Sequence, residues 1–128
     1  MNTLQHNQTT ADQARVLEND PTNLLCVPPR PRSERYFQLL KQRRLLPVSR
    51  HRQKFLEMYH REQVIVLSSD TGTGKTTQIP QFILFDEWNN GGQKIVCTQP
   101  RKLAAASAAK RVAQELDVKL GGNEVSNF

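Results

Sequence analysis

The segment VIVLSSDTGTGKTTQIPQF, residues 64–82, constrains this chain most: an apolar run, a glycine-bearing loop, Lys75-Thr76-Thr77, then a helical stretch. Val64-Ile65-Val66-Leu67 is short and largely β-branched, as a buried parallel strand requires. In the loop Ser69–Gly74, Gly72 and Gly74 accept backbone angles that a Cβ disfavours. The loop amides can then turn inward as an anion nest at the positive end of the next helix. That arrangement suits a nucleoside triphosphate, with Lys75 reaching the β- and γ-phosphates and the Thr76 hydroxyl taking one place on Mg2+. The strict pattern G-x-x-x-x-G-K-[ST] is broken once, by Ser69 at the first glycine. Serine is small, and the departure is tolerated. A bare G-x-G-K-T string can also be a surface turn, but here it lies between a predicted strand and a predicted helix, the context that nucleotide binding demands.

At 128 residues the chain holds at most one ordinary domain. With 37% hydrophobic residues and a mean hydropathy of −0.63, part of it is expected to stay unfolded while the rest builds a core. No apolar run approaches the ~18 residues that span a bilayer, so no membrane partner is expected. The polar start MNTLQHNQTTADQ lacks the apolar stretch of a secretory signal. Eighteen Lys and Arg against twelve Asp and Glu give a net charge of +6, which favours polyanionic partners without proving one. Cys26 falls in the predicted arm and Cys97 in an apolar run, a pattern for reduced thiols, with Cys97 the buried one, and not for a disulfide. His6, His51 and His60 make no ligand spacing with them, so zinc is not expected.

Residues 1–32 read as a disordered arm, closed by Val27-Pro28-Pro29-Arg30-Pro31-Arg32. Residues 33–62 read as a helical segment. Ser33 caps a helix over Glu34–Leu45, Leu46-Pro47-Val48 interrupts it, and Ser49 opens a second helix with Arg52, Phe55, Leu56 and Tyr59 in one stripe. From residue 63 to 128 the order is strand 64–68, phosphate loop, helix from about Lys75 to Trp88, strand Lys94–Thr98, helix from about Arg101 to Leu116. Asn89-Asn90-Gly91-Gly92 and Gly121-Gly122 mark the turns. Such a β-α-β-α order is that of a parallel α/β sheet with right-handed crossovers. Asp86-Glu87 follows an apolar run and mimics a metal-binding acidic pair. Yet Asp86 lies ten residues beyond Thr76 on one helix, about 15 Å away at 1.5 Å per residue, so both acids read as solvated.

Three stretches together resemble one family: Leu46-Pro47-Val48, the loop from Asp70 to Phe82, and Thr98-Gln99-Pro100-Arg101-Lys102-Leu103-Ala104-Ala105. From Leu46 to Leu120, about 75 of the 128 residues, the chain is similar to the first half of the first RecA-like domain of DEAH-box RNA helicases. The stretches Pro80–Glu87 and Val112–Leu120 look closest to the branch that disassembles spliceosomes and assists ribosome assembly.

The resemblance implies a P-loop RecA-like parallel sheet, first half only, preceded by N-terminal helices and an arm. It implies an ATP-dependent NTPase, indifferent to the base and coupled to RNA remodelling, with Mg2+, RNA and an activating helper protein, in the nucleus and also the cytoplasm. Backbone amides of Ser69, Asp70, Thr71, Gly72, Thr73, Gly74, Lys75, Thr76 and Thr77 would cradle the phosphates, with Lys75 and Thr76 catalytic and Thr76 holding the metal. Arg111 matches an arginine that stacks on the base. Arg101 and Lys102 match a motif that contacts the RNA backbone. Without the resemblance, Arg111 is a solvated helix arginine and Arg101-Lys102 is helix-start charge.

Asp70, Thr73 and Lys102 replace the family's usual Glu, Ser and Arg, and these changes are mild. No Asp-Glu-Ala-His stretch and no second RecA-like domain occur in residues 1–128, so the chain is expected to be truncated before its metal-binding motif. Two other readings stand beside this one. The chain is a non-catalytic nucleotide- or RNA-binding fragment, or it is an unrelated P-loop kinase or transport ATPase, which leaves Thr98–Ala105 unexplained.

Overall fold

The structure, a computed structural model, describes residues 11–90 and 94–121. The expectations for residues 1–10, Gly91, Gly92 and residues 122–128 lie outside it. Helix α1 (Ala11–Asn19) leads into two short antiparallel strands, β1 (Thr22–Asn23) and β2 (Arg30–Pro31), with Thr22 opposite Pro31 and Asn23 opposite Arg30. Helix α2 (Glu34–Arg44), a 3-10 turn (Pro47–His51) and α3 (Arg52–Arg61) follow, then α4 (Lys75–Asp86) and α5 (Lys102–Leu116). None of these helices is long and apolar enough to cross a membrane.

Local chemistry explains the boundaries. Ser33 caps α2, its Oγ accepting from the Tyr36 amide at 3.2 Å, and Lys41, Arg43 and Arg44 occupy the negative last turn. Pro47 pre-sets the start of the 3-10 turn, at the interruption expected there. Alanines make α5 a good helix former. It ends at Asp117, which adopts the left-handed conformation (φ 57°), while the Val118 amide bonds back to the Ala113 carbonyl at 3.0 Å.

Helix α4 lies at the centre, packed against α1, α3 and α5, and is buried or half-buried around most of its circumference. One face gives Leu84 and Phe85 to a core with Ala14, Leu25 and Leu116. The other gives Phe82 to a core with Val48, Phe55 and Leu56. Complete burial of a side chain such as Phe85 contributes about 1.5–3 kcal/mol.

Three expectations are corrected. Residues 11–32 are not a loose arm: they fold as α1 and the β1–β2 pair and dock on the end of α5. Asn23 Nδ2 donates to the Leu116 and Asp117 carbonyls (3.0 and 2.9 Å), and Ser33 donates through its amide and hydroxyl to the Asp117 carboxylate (2.7 and 2.9 Å). The polar residues that suggested disorder are thus the ones that bond. Cys26 is buried and Cys97 exposed, the reverse of the expectation. Asp86 is 3% exposed, not solvated, because His60 Nε2 lies 2.6 Å from its carboxylate; Glu87 accepts from the Tyr59 hydroxyl at 3.0 Å.

Finally, residues 64–70 and 94–99 carry no regular secondary structure, and β1–β2 is the one sheet among the described residues. The two runs are not fully buried either. Ile65 and Ile95 pack on the two cores flanking α4, whereas Val64, Val66 and Val96 are 82%, 91% and 80% exposed. Each run therefore sets one isoleucine against the helices, while Leu67 and Cys97, two positions on, are exposed.

Candidate phosphate-binding site

Between Leu67 and α4 the chain turns through Ser69–Gly74, and two glycines make the turn possible. Gly72 and Gly74 have φ of 81° and 95°, in the left-handed region where a side chain strains the backbone. At Gly74 space matters as well: a Cβ there would come within 2.8 Å of Leu46 Cδ1 and 3.2 Å of Val48 Cγ1. Leu46-Pro47-Val48 thus braces the loop from outside, and the Val48 amide donates to the Thr73 carbonyl at 3.1 Å. Gly74 then begins α4, and its carbonyl accepts the first helical bond, from the Gln78 amide, at 2.9 Å.

Lys75 folds back across the loop. Its Nζ donates to the Ser69 carbonyl, to the Ser69 hydroxyl at 2.6 Å and to the Asp70 carbonyl at 3.4 Å, while the Ser69 and Thr73 hydroxyls sit 2.7 Å apart. Ser69, the departure from the strict motif, is therefore a direct partner of the lysine. A loop of small residues, an ammonium pointing into it and the N-terminus of a 12-residue helix make an anion-binding arrangement. Thr76 is exposed at the head of α4. Thr77 Oγ1 is turned toward the Gly74 carbonyl, 3.4 Å away.

Behind the loop lies a polar cluster that the sequence pattern did not reveal. Glu115, 1% exposed, accepts through Oε2 from Gln78 Nε2 (2.8 Å) and Gln81 Nε2 (2.7 Å), and through Oε1 from Arg111 Nε (2.8 Å). Gln81 Oε1 in turn accepts from Arg43 Nη1, and Gln78 Nε2 also reaches Thr77 Oγ1 at 2.9 Å. Burial pushes the Arg43 guanidinium below its ordinary range, and Glu18, Tyr36 and Glu115 pull it back. The cluster ties α2, α4 and α5 together directly under the phosphate loop. The i to i+4 spacing of Arg111 and Glu115 was the one local hint of it.

Arg111 is thus half-exposed and held, whereas Arg101 and Lys102 are exposed at the start of α5. An apolar cavity of about 510 Å³ between α4 and α5 includes Thr76, but Leu84, Ile95, Val112 and Leu116 dominate its lining, and the cation among its lining residues is Lys119, three residues beyond α5.

No family model matches the chain. The human ATP-dependent RNA helicase DHX29 is 45% identical to it over 91 residues. Over that stretch the chain is homologous to an ATP-dependent RNA helicase. The match takes in 68% of this chain but 7% of the relative, so the chain spans a small part of that helicase's length. The described residues contain no group of three or more His, Cys, Asp or Glu arranged to hold a metal.

Proposed function

We propose that this chain is the nucleotide-binding entry segment of an ATP-dependent RNA helicase of the DEAH-box type, acting in pre-mRNA splicing or ribosome biogenesis in the nucleus. The helicase homology carries this reading, and the loop geometry supports it. In this reading the amides of Ser69–Thr77 surround the phosphates, Lys75 leaves Ser69 to neutralise charge on them, and Arg111, steadied by Glu115, lies against the base. Arg101 and Lys102 grip RNA phosphates without regard to sequence. An activating helper protein belongs to the same reading.

A triphosphate suits the loop in this reading, because its left-handed glycines turn the chain into the head of α4 beside the Lys75 ammonium. For Mg2+ the fit is partial. Thr76 supplies one oxygen, and Asp86, committed to His60 at the far end of α4, supplies none. When bound, Mg2+ would neutralise phosphate charge. The residues here bind and orient the nucleotide, and they do not by themselves position a water for hydrolysis.

The RecA-like parallel sheet is part of the same proposal. Its support in the two runs is that Ile65 and Ile95 pack on the helices while their neighbours Val64, Val66 and Val96 face out, as adjacent positions of a strand do. The deciding experiment is equilibrium binding of ATP and GTP to the chain and to K75A. Similar affinities for both nucleotides, weakened at least about tenfold in K75A, are expected. Binding indifferent to Lys75 would reject the reading. Binding without RNA-stimulated hydrolysis would leave the non-catalytic nucleotide-binding fragment.

A further inference from the structure

A second cavity, of about 500 Å³, opens beside α4, between α1, α2, the 3-10 turn and α3. Five arginines line it, Arg15, Arg43, Arg44, Arg50 and Arg52, against one carboxylate, Glu18. Glu18 is already divided: Oε1 accepts from Arg52 Nη1 at 2.8 Å and Oε2 from Arg44 Nη2 at 3.2 Å. Arg43 spends its Nη1 on the neutral amide oxygen of Gln81. Arg15 and Arg50 are exposed and make no ion pair among the described residues.

One atom shows what is lacking. Arg52 Nη2 is buried and has no acceptor among the described residues. The guanidinium as a whole pairs with Glu18 and lies over the Phe82 ring, 5.0 Å from its centroid, but a buried N–H without an acceptor is costly, and an anion entering the cavity would satisfy it. Guanidinium forks on several elements converging on one space match the oxygens of a phosphate better than a single carboxylate. The cavity volume falls in the range of about 300–1,000 Å³ typical of small-ligand sites. We propose that this cavity binds a compact phosphate-bearing anion, with Arg15, Arg44, Arg50 and Arg52 as its ligands. The site is separate from the phosphate loop and does not depend on the nucleotide-binding reading. Gln78, Gln81 and Phe82 of α4 form its floor, so an occupied cavity would press on the helix that carries Lys75.

Inorganic pyrophosphate is the probe, and the complete chain carrying K75A is the host, so that the phosphate loop is disabled. Calorimetry should detect pyrophosphate binding to K75A. Binding should weaken at least about tenfold when R15Q and R50Q are added, since each removes a charge-assisted contact. Both side chains are exposed, and an unchanged ligand-free melting temperature checks that the fold survives. As a second measurement, the Arg52 Nε–H signal in K75A should shift on titration with pyrophosphate. No binding to K75A, or equal affinity with and without R15Q/R50Q, would overturn the proposal, the former leaving the phosphate loop as the source of any pyrophosphate affinity in the parent chain. A single-stranded RNA oligonucleotide that binds tighter than pyrophosphate and depends on Arg15 and Arg50 would also overturn it, in favour of a polymer backbone.

Discussion

Arg111 leans on Glu115: its Nε donates to Oε1 across 2.8 Å, one helical turn apart, while the other carboxylate oxygen is taken by two glutamine amides of α4. The carboxylate is almost wholly buried yet has a partner for each oxygen, which is the condition under which a buried charge is tolerated. Glu115→Ala leaves two amides and one guanidinium without their acceptor. It should lower unfolding stability by about 2–4 kcal/mol in urea denaturation, and Glu115→Gln by less, because the amide oxygen still accepts. An alanine variant within 0.5 kcal/mol of the parent, roughly the scatter of ordinary surface substitutions, would show that the cluster contributes nothing net.

The two loop glycines separate backbone strain from steric conflict. At Gly72 an added Cβ meets nothing within 4 Å, so Gly72→Ala costs only the left-handed conformation, about 1 kcal/mol. At Gly74 the same strain is joined by a 2.8 Å approach to Leu46 Cδ1. Gly74→Ala should therefore lower the melting temperature more than Gly72→Ala. Leu46→Ala added to Gly74→Ala should cost less than it does alone, because it relieves that contact. Equal effects at the two glycines would contradict the bracing role of Leu46.

Burial raises the Asp86 carboxyl above its ordinary 3.8, and the hydrogen bond and charge of His60 oppose the shift without cancelling it. With the folded value above the unfolded one, folding takes up a proton in the window that opens at 3.8. The stability that Asp86 contributes is full below that pH and is lost as pH rises through the folded value. Asp86→Asn does not titrate, so the stability of the parent minus that of the variant should fall as pH rises across this window. Urea unfolding of both proteins in steps from pH 3.5 to pH 7 measures it. A difference that grows with pH would mean that His60 outweighs burial.

What could be read from the sequence was local. The loop with its glycines, the Ser33 cap and the alanine-rich α5 each depend on residues within a few positions of one another. The stretch 11–32 was opaque because its partners are distant: Asn23 bonds Leu116, 93 residues away, so polar composition there looked like disorder. Asp86 was misjudged for the same reason, its partner His60 being 26 residues earlier on a different helix. Glu115 sits in a sequence that suits a solvated helix face, and only the packing of α4 on α5 buries it. Residues 64–68 and 94–98 announced strands through β-branching, but a strand is completed by a neighbour, which composition cannot supply.

Asn23 carries the docking of this N-terminal stretch. It is fully buried; its Nδ2 donates to two carbonyls at the end of α5, and its Oδ1 accepts from the Leu25 amide at 3.1 Å. Arg30 Nη2 and Arg32 Nη1 also reach those carbonyls, at 2.9 and 3.5 Å. Asn23→Ala therefore chiefly orphans the Leu25 amide and should cost about 1–3 kcal/mol. Asn23→Asp keeps the shape but turns the donor into a charged acceptor facing carbonyl oxygens, at the negative end of a helix. At pH 7 it should be clearly worse than alanine, and the gap should narrow at acid pH as the new carboxyl protonates. Urea unfolding of both variants at pH 7 and pH 4 decides it. An aspartate variant as stable as the alanine one would mean that these residues do not cap α5.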